Sequence, residues 1–175
     1  MSKSRQNWSE ECENHINYQI NKELYASYYY LNLYCFFMRD WVNMPEIAKY
    51  FKKQSDEEKE HADKFIEYQI LRGGTIKIKE IPEINFDFDD KCKSKSYLKI
   101  AFEKVLDLEK NINNNLLEIH KVGDPSLCEF LESNFLNEQI EANDEIARII
   151  DELEFIINNK YDLLSYITKF NNRFK

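Results

Sequence analysis

The feature that most constrains this chain is the scarcity and placement of its chain-breaking residues. Among 175 residues there are only three glycines and three prolines, whereas ordinary usage would give about 12 % of the chain. All six lie in three clusters, at Pro45, at 73–82 and at 123–125. Sandwiches, barrels and doubly wound sheets need turn residues at much closer intervals. The pattern therefore predicts an all-α protein, with residues 1–175 forming a single domain of few long helices.

The three clusters divide the chain into four long helical segments and a short closing one. Ser9 is a suitable N-cap, proline suits a first helical turn, and glycine suits a helix end. We expect helices from about Ser9 to Met38, from Pro45 to the Gly73-Gly74 stop, over about 97–121, and from Asp124-Pro125 to about 158–159. A short amphipathic helix follows, with one apolar face formed by Leu163, Tyr166, Ile167 and Phe170.

The lengths of the links predict how these helices connect. The first and second helices, and the third and fourth, are joined by short links, so each pair must be antiparallel. The link from Gly73 to about residue 96 is long enough to run the full length of a 28-residue helix. Within it, residues 75–79 (TIKIK) alternate as a short strand does. We predict a four-helix bundle with one long crossover.

Composition excludes several classes of partner and setting. Lys and Arg number 24 against 32 Asp and Glu, so the net charge is −8. An acidic surface argues against nucleic acid and anionic membranes as partners. Residues 1–11 lack an apolar signal core, and the most apolar run, 25–38, is too short and too closely flanked by charges to span a membrane. The four cysteines show no CxxC pairing, so we expect a reducing, cytoplasmic setting.

Polar residues interrupt the apolar stripe of every long helix near its middle. In steps of three and four residues, each stripe is otherwise mainly apolar, and matched helices place their midpoints in one layer. The residues expected to converge in that layer are Glu23, Glu58, His61, Glu109 and Gln139.

A buried group of carboxylates needs compensating positive charge. Burying a carboxylate without a partner costs on the order of several kcal/mol, and three buried carboxylates also repel one another. Three carboxylates and one imidazole suit two divalent cations, and favour Fe or Mn over copper. Glu58 and His61, three residues apart, share a helical face, and Glu58 is central enough to bridge two ions. A single Glu-x-x-His motif on a helix is more often exposed to solvent, and a lone glutamate in an apolar stripe can extend its carboxylate to the surface. The coincidence of four polar interruptions at one height favours the metal site over these alternatives.

Several sequence blocks resemble ferritin subunits of the ferroxidase-active, heavy-chain type. The resemblance runs from Arg5–Asn7 to the closing segment. Its strongest blocks are QINKELYASY from Gln19, AKYF from Ala48, QSDEEKEHA from Gln54, RGG from Arg72, LEKN from Leu108 and FLNEQ from Phe135. Ferritin-like di-iron sites commonly carry two Glu-x-x-His motifs. Here the fourth helix offers Gln139 and Ala142 instead, as eukaryotic ferritins do and bacterioferritins do not.

The resemblance implies an iron-oxidising centre in each subunit. Glu23, Glu58 and His61 would hold the first iron, and Glu58 would bridge to a second iron, bound also by Glu109 with Gln139 beside it. Two Fe(II) would be oxidised by dioxygen, and the ferric product would mineralise. All these ligands are present, which favours a catalytic subunit over the light-chain type.

Further residues gain roles from the same resemblance. Glu57 would help iron enter or transfer, and Glu60 and Asp63 would face the cage cavity and seed mineral, although such a run is by itself a typical solvated face. Tyr30 lies seven residues after Glu23, about 20° off the same face, so it can hydrogen-bond to the ligands; the alternative is core packing.

Other positions correspond to the channels and symmetry axes of a 24-subunit cage. Cys128, Glu129 and Glu132 would line three-fold channels through which iron enters, although the two glutamates also suit the start of a helix. The closing segment would line four-fold axes. Before it, Asn158 and Asn159 replace the usual glycine, and asparagine tolerates left-handed geometry. The crossover over 82–95 is longer than in commoner relatives, and the tail ends soon after the closing helix, at Lys175.

Three functions remain distinct at this point. The first is a ferroxidase and iron store in a homo-oligomeric cage, open to co-assembly with a second ferritin subunit. The second is a di-iron oxidase or oxygenase acting on an organic substrate, which would need a pocket beside the metals. The third is a metal-free helical scaffold, which would show no Fe(II)-dependent uptake of dioxygen.

Overall fold

Helices form all the regular secondary structure in the part of the chain that the computed structural model describes, which is residues 2–86, 88 and 95–170. The helices are α1 (Glu10–Phe37), α2 (Pro45–Leu71), α3 (Lys95–Val122), α4 (Pro125–Leu131), a π-helical turn (Glu132–Leu136), α5 (Asn137–Asn158) and α6 (Leu163–Phe170). The predicted all-α fold, a ferritin-like four-helix bundle with a short closing helix, is confirmed.

The helix ends follow the predicted breakers. Ser9 caps α1, and its side chain accepts a hydrogen bond from the Cys12 amide at 3.0 Å. Asp124 caps α4 through the Leu127 amide at 2.9 Å. Gly73, just beyond α2, adopts a φ of 74°, which an L side chain rarely tolerates. Local sequence therefore determines the start of α1, the end of α2 and the start of α4.

The apolar core divides into two clusters on either side of the polar layer. Within the bundle α1 packs on α2, α3 packs on α5, and α1 also contacts α3. On α3, Leu98, Phe102 and Val105 belong to one cluster, whereas Ile112 and Leu116 belong to the other. Glu109 lies between these two groups in sequence and is buried. The predicted interruption of an otherwise apolar core is therefore present.

The fourth helix differs from the single continuous helix expected over 124–159. The π-helical turn separates α4 from α5. Four residues at successive steps of four are all buried: Leu127, Leu131, Phe135 and Gln139. In a regular α-helix each such step adds about 40° of rotation, so the last residue would leave the core-facing side. The wider π turn absorbs that drift, which keeps both Phe135 and Gln139 inside the bundle.

Residues 75–79, expected as a short strand, pair with helix side chains instead of with another strand. The segment is extended, but no strand is present in the described residues. The Asn17 side chain donates to the Thr75 carbonyl (2.8 Å) and accepts from the Lys77 amide (2.7 Å). Asn21, one turn later, repeats this with the Lys77 carbonyl (2.8 Å) and the Lys79 amide (2.7 Å). Two asparagines on α1 thus supply the polar edge that a neighbouring strand would supply.

The closing helix has the predicted buried face, but the bend before it is made differently. Leu163, Ile167 and Phe170 are buried, whereas Tyr166, also expected on this face, is only partly buried. Helix α6 contacts α2. The left-handed residue of the bend is Lys160, with a φ of 57°, whereas Asn159 remains at negative φ. The expectations for Cys92, for residues 89–94 of the crossover and for the tail over 171–175 lie outside the described residues. Within the described residues, no helix is long and apolar enough to cross a membrane.

Candidate metal centre

The five residues predicted to share a layer come from four different helices. Glu23 lies on α1, Glu58 and His61 on α2, Glu109 on α3, and Gln139 on α5 just after the π-helical turn. The three glutamates and Gln139 are buried, and the His61 side chain is 12 % exposed. Four polar side chains and one imidazole are therefore enclosed at mid-height in the bundle.

Glu23, Glu58 and His61 form a compact group of possible metal ligands. One ligand atom from each residue lies within 4.8 Å of the other two. His61 Nδ1 lies 3.4 Å from Glu58 Oε2, as expected for residues one turn apart on a helix. Two carboxylate oxygens and an imidazole nitrogen are donors that suit Fe or Mn.

The two oxygens of Glu23 have different surroundings. Oε1 accepts a hydrogen bond from Gln19 Nε2 at 2.5 Å. Oε2 is buried and receives no hydrogen bond from the described residues while Glu23 and Glu58 are both ionised, although a shared proton can join the two carboxyls. Leaving a buried polar atom without a partner costs about 1–3 kcal/mol, and more for a charged group. A cation held jointly with Glu58 and His61 would satisfy this oxygen, so the residues present fit a metal ion.

Glu109, in contrast, receives hydrogen bonds at both carboxylate oxygens. The Tyr30 hydroxyl donates to Oε1. Gln139 Nε2 donates to Oε2 at 2.6 Å and also to the Glu109 main-chain carbonyl at 3.0 Å. Tyr30 therefore holds a residue that the sequence predicts as a ligand, and its role at the site stays a prediction.

Burial raises the pKa of all three buried carboxyls. Burial is the largest cause of the rise for Glu23 and Glu58, whose pKa values lie well above 4.5, and a neighbouring glutamate charge adds to it in each. The pKa of Glu109 is also raised by burial, but its hydrogen bonds from Tyr30 and Gln139 oppose the rise. The Tyr30 pKa is raised well above 10 by burial and by the charge of Glu109, so Tyr30 remains a neutral donor. Because the buried carboxyls resist carrying an uncompensated charge, the site formed by Glu23, Glu58 and Glu109 favours binding of protons or cations.

The acidic residues expected to transfer iron or to seed mineral lie outside the ligand group. Glu57, half-buried on α2, accepts a hydrogen bond from Gln54 and lies 3.1 Å from the Lys53 ammonium. Glu60 and Asp63 are exposed on the same helix. Their roles remain predictions.

The residues expected to line a channel lie at the start of the fourth helical segment. Glu129 and Glu132 are exposed there, and Glu132 Oε1 lies 2.7 Å from His120 Nε2. The Cys128 thiol lies 3.4 Å from the His120 carbonyl. Their role in a channel also remains a prediction.

Two residues beside the ligand group were not anticipated from the sequence. Glu138 Oε1, on α5, lies 3.5 Å from His61 Nε2. Gln19 holds Glu23, as described above. Gln19 could have been found, because it lies one turn before Glu23 and so shares its helical face. Glu138 follows the π-helical turn, whose change of phase no α-helical pattern predicts.

Comparison with known proteins is consistent with this geometry. The sequence pattern that defines the ferritin family's ferritin-like domain matches residues 13–156. The chain belongs to the ferritin family.

Two curated relatives give the extent of this similarity. A chloroplastic ferritin of Malus baccata var. xiaojinensis is 41 % identical over 157 residues, which cover 87 % of this ferritin chain and 62 % of the plant protein. A ferritin middle subunit of Salmo salar is 39 % identical over 170 residues, which cover 95 % of this chain and 93 % of the fish protein. The ferritin chain therefore spans less than two thirds of the plant relative. Membership of the family supports iron storage as its general role.

Proposed function

We propose that this ferritin chain is a ferroxidase-active subunit, which oxidises Fe(II) with dioxygen and passes the ferric product to a mineral store. The observation that carries the proposal is the convergence of Glu23, Glu58 and His61, with a Glu23 oxygen left buried and without a hydrogen bond. Protons on these carboxyls can balance the charge, but only a cation uses all three donors at once.

Iron is the substrate of this reaction, and the protein supplies its binding site. Glu23, Glu58 and His61 bind the first Fe(II), while Glu58, Glu109 and Gln139 serve the second. Two Fe(II) bound side by side can each give one electron to the same dioxygen. Because oxidation raises the charge of each iron, carboxylates in a site of low dielectric constant stabilise the ferric product more than the ferrous substrate. Tyr30 holds Glu109 in place through its hydroxyl.

The surface carboxylates complete the path of iron in this proposal. Glu129 and Glu132, with Cys128, lie along the route into the cage, where a ring of carboxylates would attract Fe(II). Glu57 transfers iron at the centre, and Glu60 and Asp63 seed the mineral. The exposure of both channel glutamates supports a role at a surface.

The proposed active form is a homo-oligomeric cage of 24 subunits, able to co-assemble with a second ferritin subunit and located in the cytoplasm. The mass of the purified particle tests the assembly. A particle near the subunit mass of 21.2 kDa would contradict a cage.

Packing around the layer favours a small oxidant over an organic substrate. Tyr30 and Phe65 are fully buried. Tyr30 stacks on Phe51, with ring centroids 6.2 Å apart, and Phe65 stacks on Phe135 at 4.3 Å. A metal-free scaffold is disfavoured because it would keep Glu23 and Glu58 buried side by side, where only protons could balance their charge.

Anaerobic titration with Fe(II), followed by air, tests the proposed function. The wild type should bind Fe(II) and oxidise it rapidly, and Glu23→Ala should lose most of this rapid oxidation. Glu11→Ala is the matched control, because Glu11 is exposed on the same helix. Rapid oxidation at the wild-type rate in Glu23→Ala would contradict the assigned centre.

A further inference from the structure

The Gln19 carboxamide is buried between an iron ligand and a residue on another helix. Gln19 has no exposed surface. Its Nε2 donates to Glu23 Oε1 at 2.5 Å, and its Oε1 accepts a hydrogen bond from Asn115 Nδ2. Asn115 is only partly buried on α3. A chain of two amides thus links α3 to the Glu23 carboxylate on α1.

The direction of this chain is determined by its two ends when Glu23 is ionised, as a metal ligand must be. A carboxylate only accepts hydrogen bonds, so Gln19 then turns its NH2 group toward Glu23. Its carbonyl oxygen then faces Asn115, which must donate. If the Gln19 amide were reversed, its oxygen would face the Glu23 carboxylate across a buried contact, where repulsion is poorly screened. Asn115 therefore stabilises the one amide orientation that suits an ionised Glu23.

We infer that Asn115 and Gln19 are positioning residues that turn Glu23 so that it binds metal through Oε2 alone. Oε1 is held by the Gln19 amide, whereas Oε2 has no hydrogen bond and remains available to the group that contains Glu58 and His61. The inference rests on the proposed function, since it concerns how the same site binds its ion.

Asn115→Asp tests this inference because two explanations predict opposite results. An added negative charge near the site should tighten the binding of a cation by simple electrostatic attraction. If the amide orientation matters, the new carboxylate accepts where Asn115 donated, which reverses Gln19 and turns its oxygen onto Glu23. Affinity should then fall by roughly ten- to a hundredfold, the range typical for partners of metal ligands.

Co²⁺ alone is the probe, since it binds without oxidation and absorbs visible light according to its ligands. The part of the Co²⁺ spectrum that is absent in Glu23→Ala defines the signal of the site. In Asn115→Asp this signal should weaken at a given Co²⁺ concentration and shift in wavelength. Asn111→Asp, one turn earlier and exposed on α3, makes the same change of charge and should leave affinity and spectrum unchanged.

The outcomes separate this inference from the proposed function. Equal or tighter Co²⁺ binding in Asn115→Asp, with an unchanged spectrum, would overturn the inference. A wild type with no Co²⁺ signal dependent on Glu23 would overturn the proposed function instead. If circular dichroism shows that Asn115→Asp does not fold, Asn115→Ala replaces it. That variant leaves the Gln19 amide without its Asn115 donor and should bind Co²⁺ more weakly. Wild-type affinity and spectrum in folded Asn115→Ala would also overturn the inference.

Discussion

The two sides of the candidate metal centre differ in how many hydrogen-bond donors their buried carboxylates meet. On one side, Glu23, Glu58 and His61 converge, and Glu23 Oε2 has no hydrogen-bond partner. On the other side, Tyr30 and Gln139 donate to both oxygens of Glu109. The protein therefore offsets part of the cost of burying the Glu109 charge with its own donors, whereas it leaves that of Glu23 and Glu58 mainly to a cation or to protons.

This difference predicts two ion sites of unequal strength. An ion at the Glu23 side meets an unsatisfied oxygen and displaces no hydrogen bond from it. An ion at Glu109 must compete with Tyr30 and Gln139 for the carboxylate oxygens, and hydrogen bonds to charged groups contribute about 1.5–3 kcal/mol each. We expect the first ion to bind tightly and the second more weakly, which suits an ion that is to be released.

Glu58→Gln should have the largest effect, because Glu58 is the ligand assigned to both sites. Both ions should bind more than about a hundredfold more weakly, since loss even of an indirect partner commonly costs 10–100-fold. Anaerobic Fe(II) titration measures the number of ions bound and their affinities. The matched control is Glu67→Gln, a change at an exposed residue of the same helix. One ion still bound at full affinity would show that Glu58 serves only one side.

Glu109→Gln should have a smaller and selective effect. The second ion should bind at least about tenfold more weakly, while the first ion keeps its affinity, because Glu109 is absent from the compact ligand group. The same titration separates the two ions as two binding steps. Equal loss of both steps would show that the two sides act as one site, and would remove the proposed contrast.

Much of this organisation could be predicted from residue patterns. Proline and glycine positions gave both ends of α2, the end of α3 and the start of α4, because those residues act on local backbone geometry. The polar interruptions gave the layer, since a repeat of 3.6 residues determines which side chains face inward. The apolar row of α3 with Glu109 at its centre is buried as predicted.

What could not be predicted depends on contacts between distant segments. Residues 75–79 alternate as a strand does, but only the folded chain brings Asn17 and Asn21 to their backbone. The π-helical turn depends on keeping Phe135 and Gln139 inside together. The direction of the Gln19 amide depends on Asn115, 96 residues away in sequence. No local pattern contains these contacts.

The stability of the metal-free protein should depend on pH through the Glu23 side. A carboxyl with a raised pKa holds its proton more tightly when folded, so its contribution to stability is complete below the ordinary value of 4.5. That contribution is lost as the pH rises through the raised pKa. The free energy of unfolding in urea should therefore fall as the pH rises above about 4.5, and saturating Co²⁺ should reduce the fall.

Two variants relate this pH dependence to the comparison. Glu23→Gln should flatten the fall in stability, because it removes a buried carboxyl whose pKa is raised well above 4.5. Glu109→Gln removes a charge that raises the Glu58 pKa, but it should flatten the fall less, because hydrogen bonds oppose the rise in the Glu109 pKa and the Glu23 carboxyl is kept. If Glu109→Gln removed more of the fall in unfolding free energy with pH than Glu23→Gln does, the assignment of the two sides would be reversed.

Asp124, near the surface, extends the comparison of the two sides. Its substitution should have the smallest effect on stability and on metal binding. Like Glu109, it has donors at both oxygens: Arg72 binds Oδ1 at 3.1 Å and Oδ2 at 2.6 Å, and the Leu127 amide binds Oδ1. The hydrogen bonds from Arg72 lower the Asp124 pKa, opposite to the direction at Glu109. Both carboxylates thus accept hydrogen bonds at both oxygens, but their pKa values shift in opposite directions, because only Glu109 is deeply buried.

Asp124→Asn keeps a good N-cap residue and removes the ion pair with Arg72. Because the pKa is lowered in the folded state, the stability of the pair is present above the ordinary value of 3.8 and is lost as the pH falls through the folded value. At neutral pH the variant should lose only about 0–1 kcal/mol in the free energy of unfolding, with Co²⁺ binding unchanged. At low pH, where Asp124 is protonated, the difference from wild type should vanish. Weaker Co²⁺ binding would show that this pair acts on the centre. A loss of stability well beyond the range of a surface ion pair would show that the contrast is not one of burial alone.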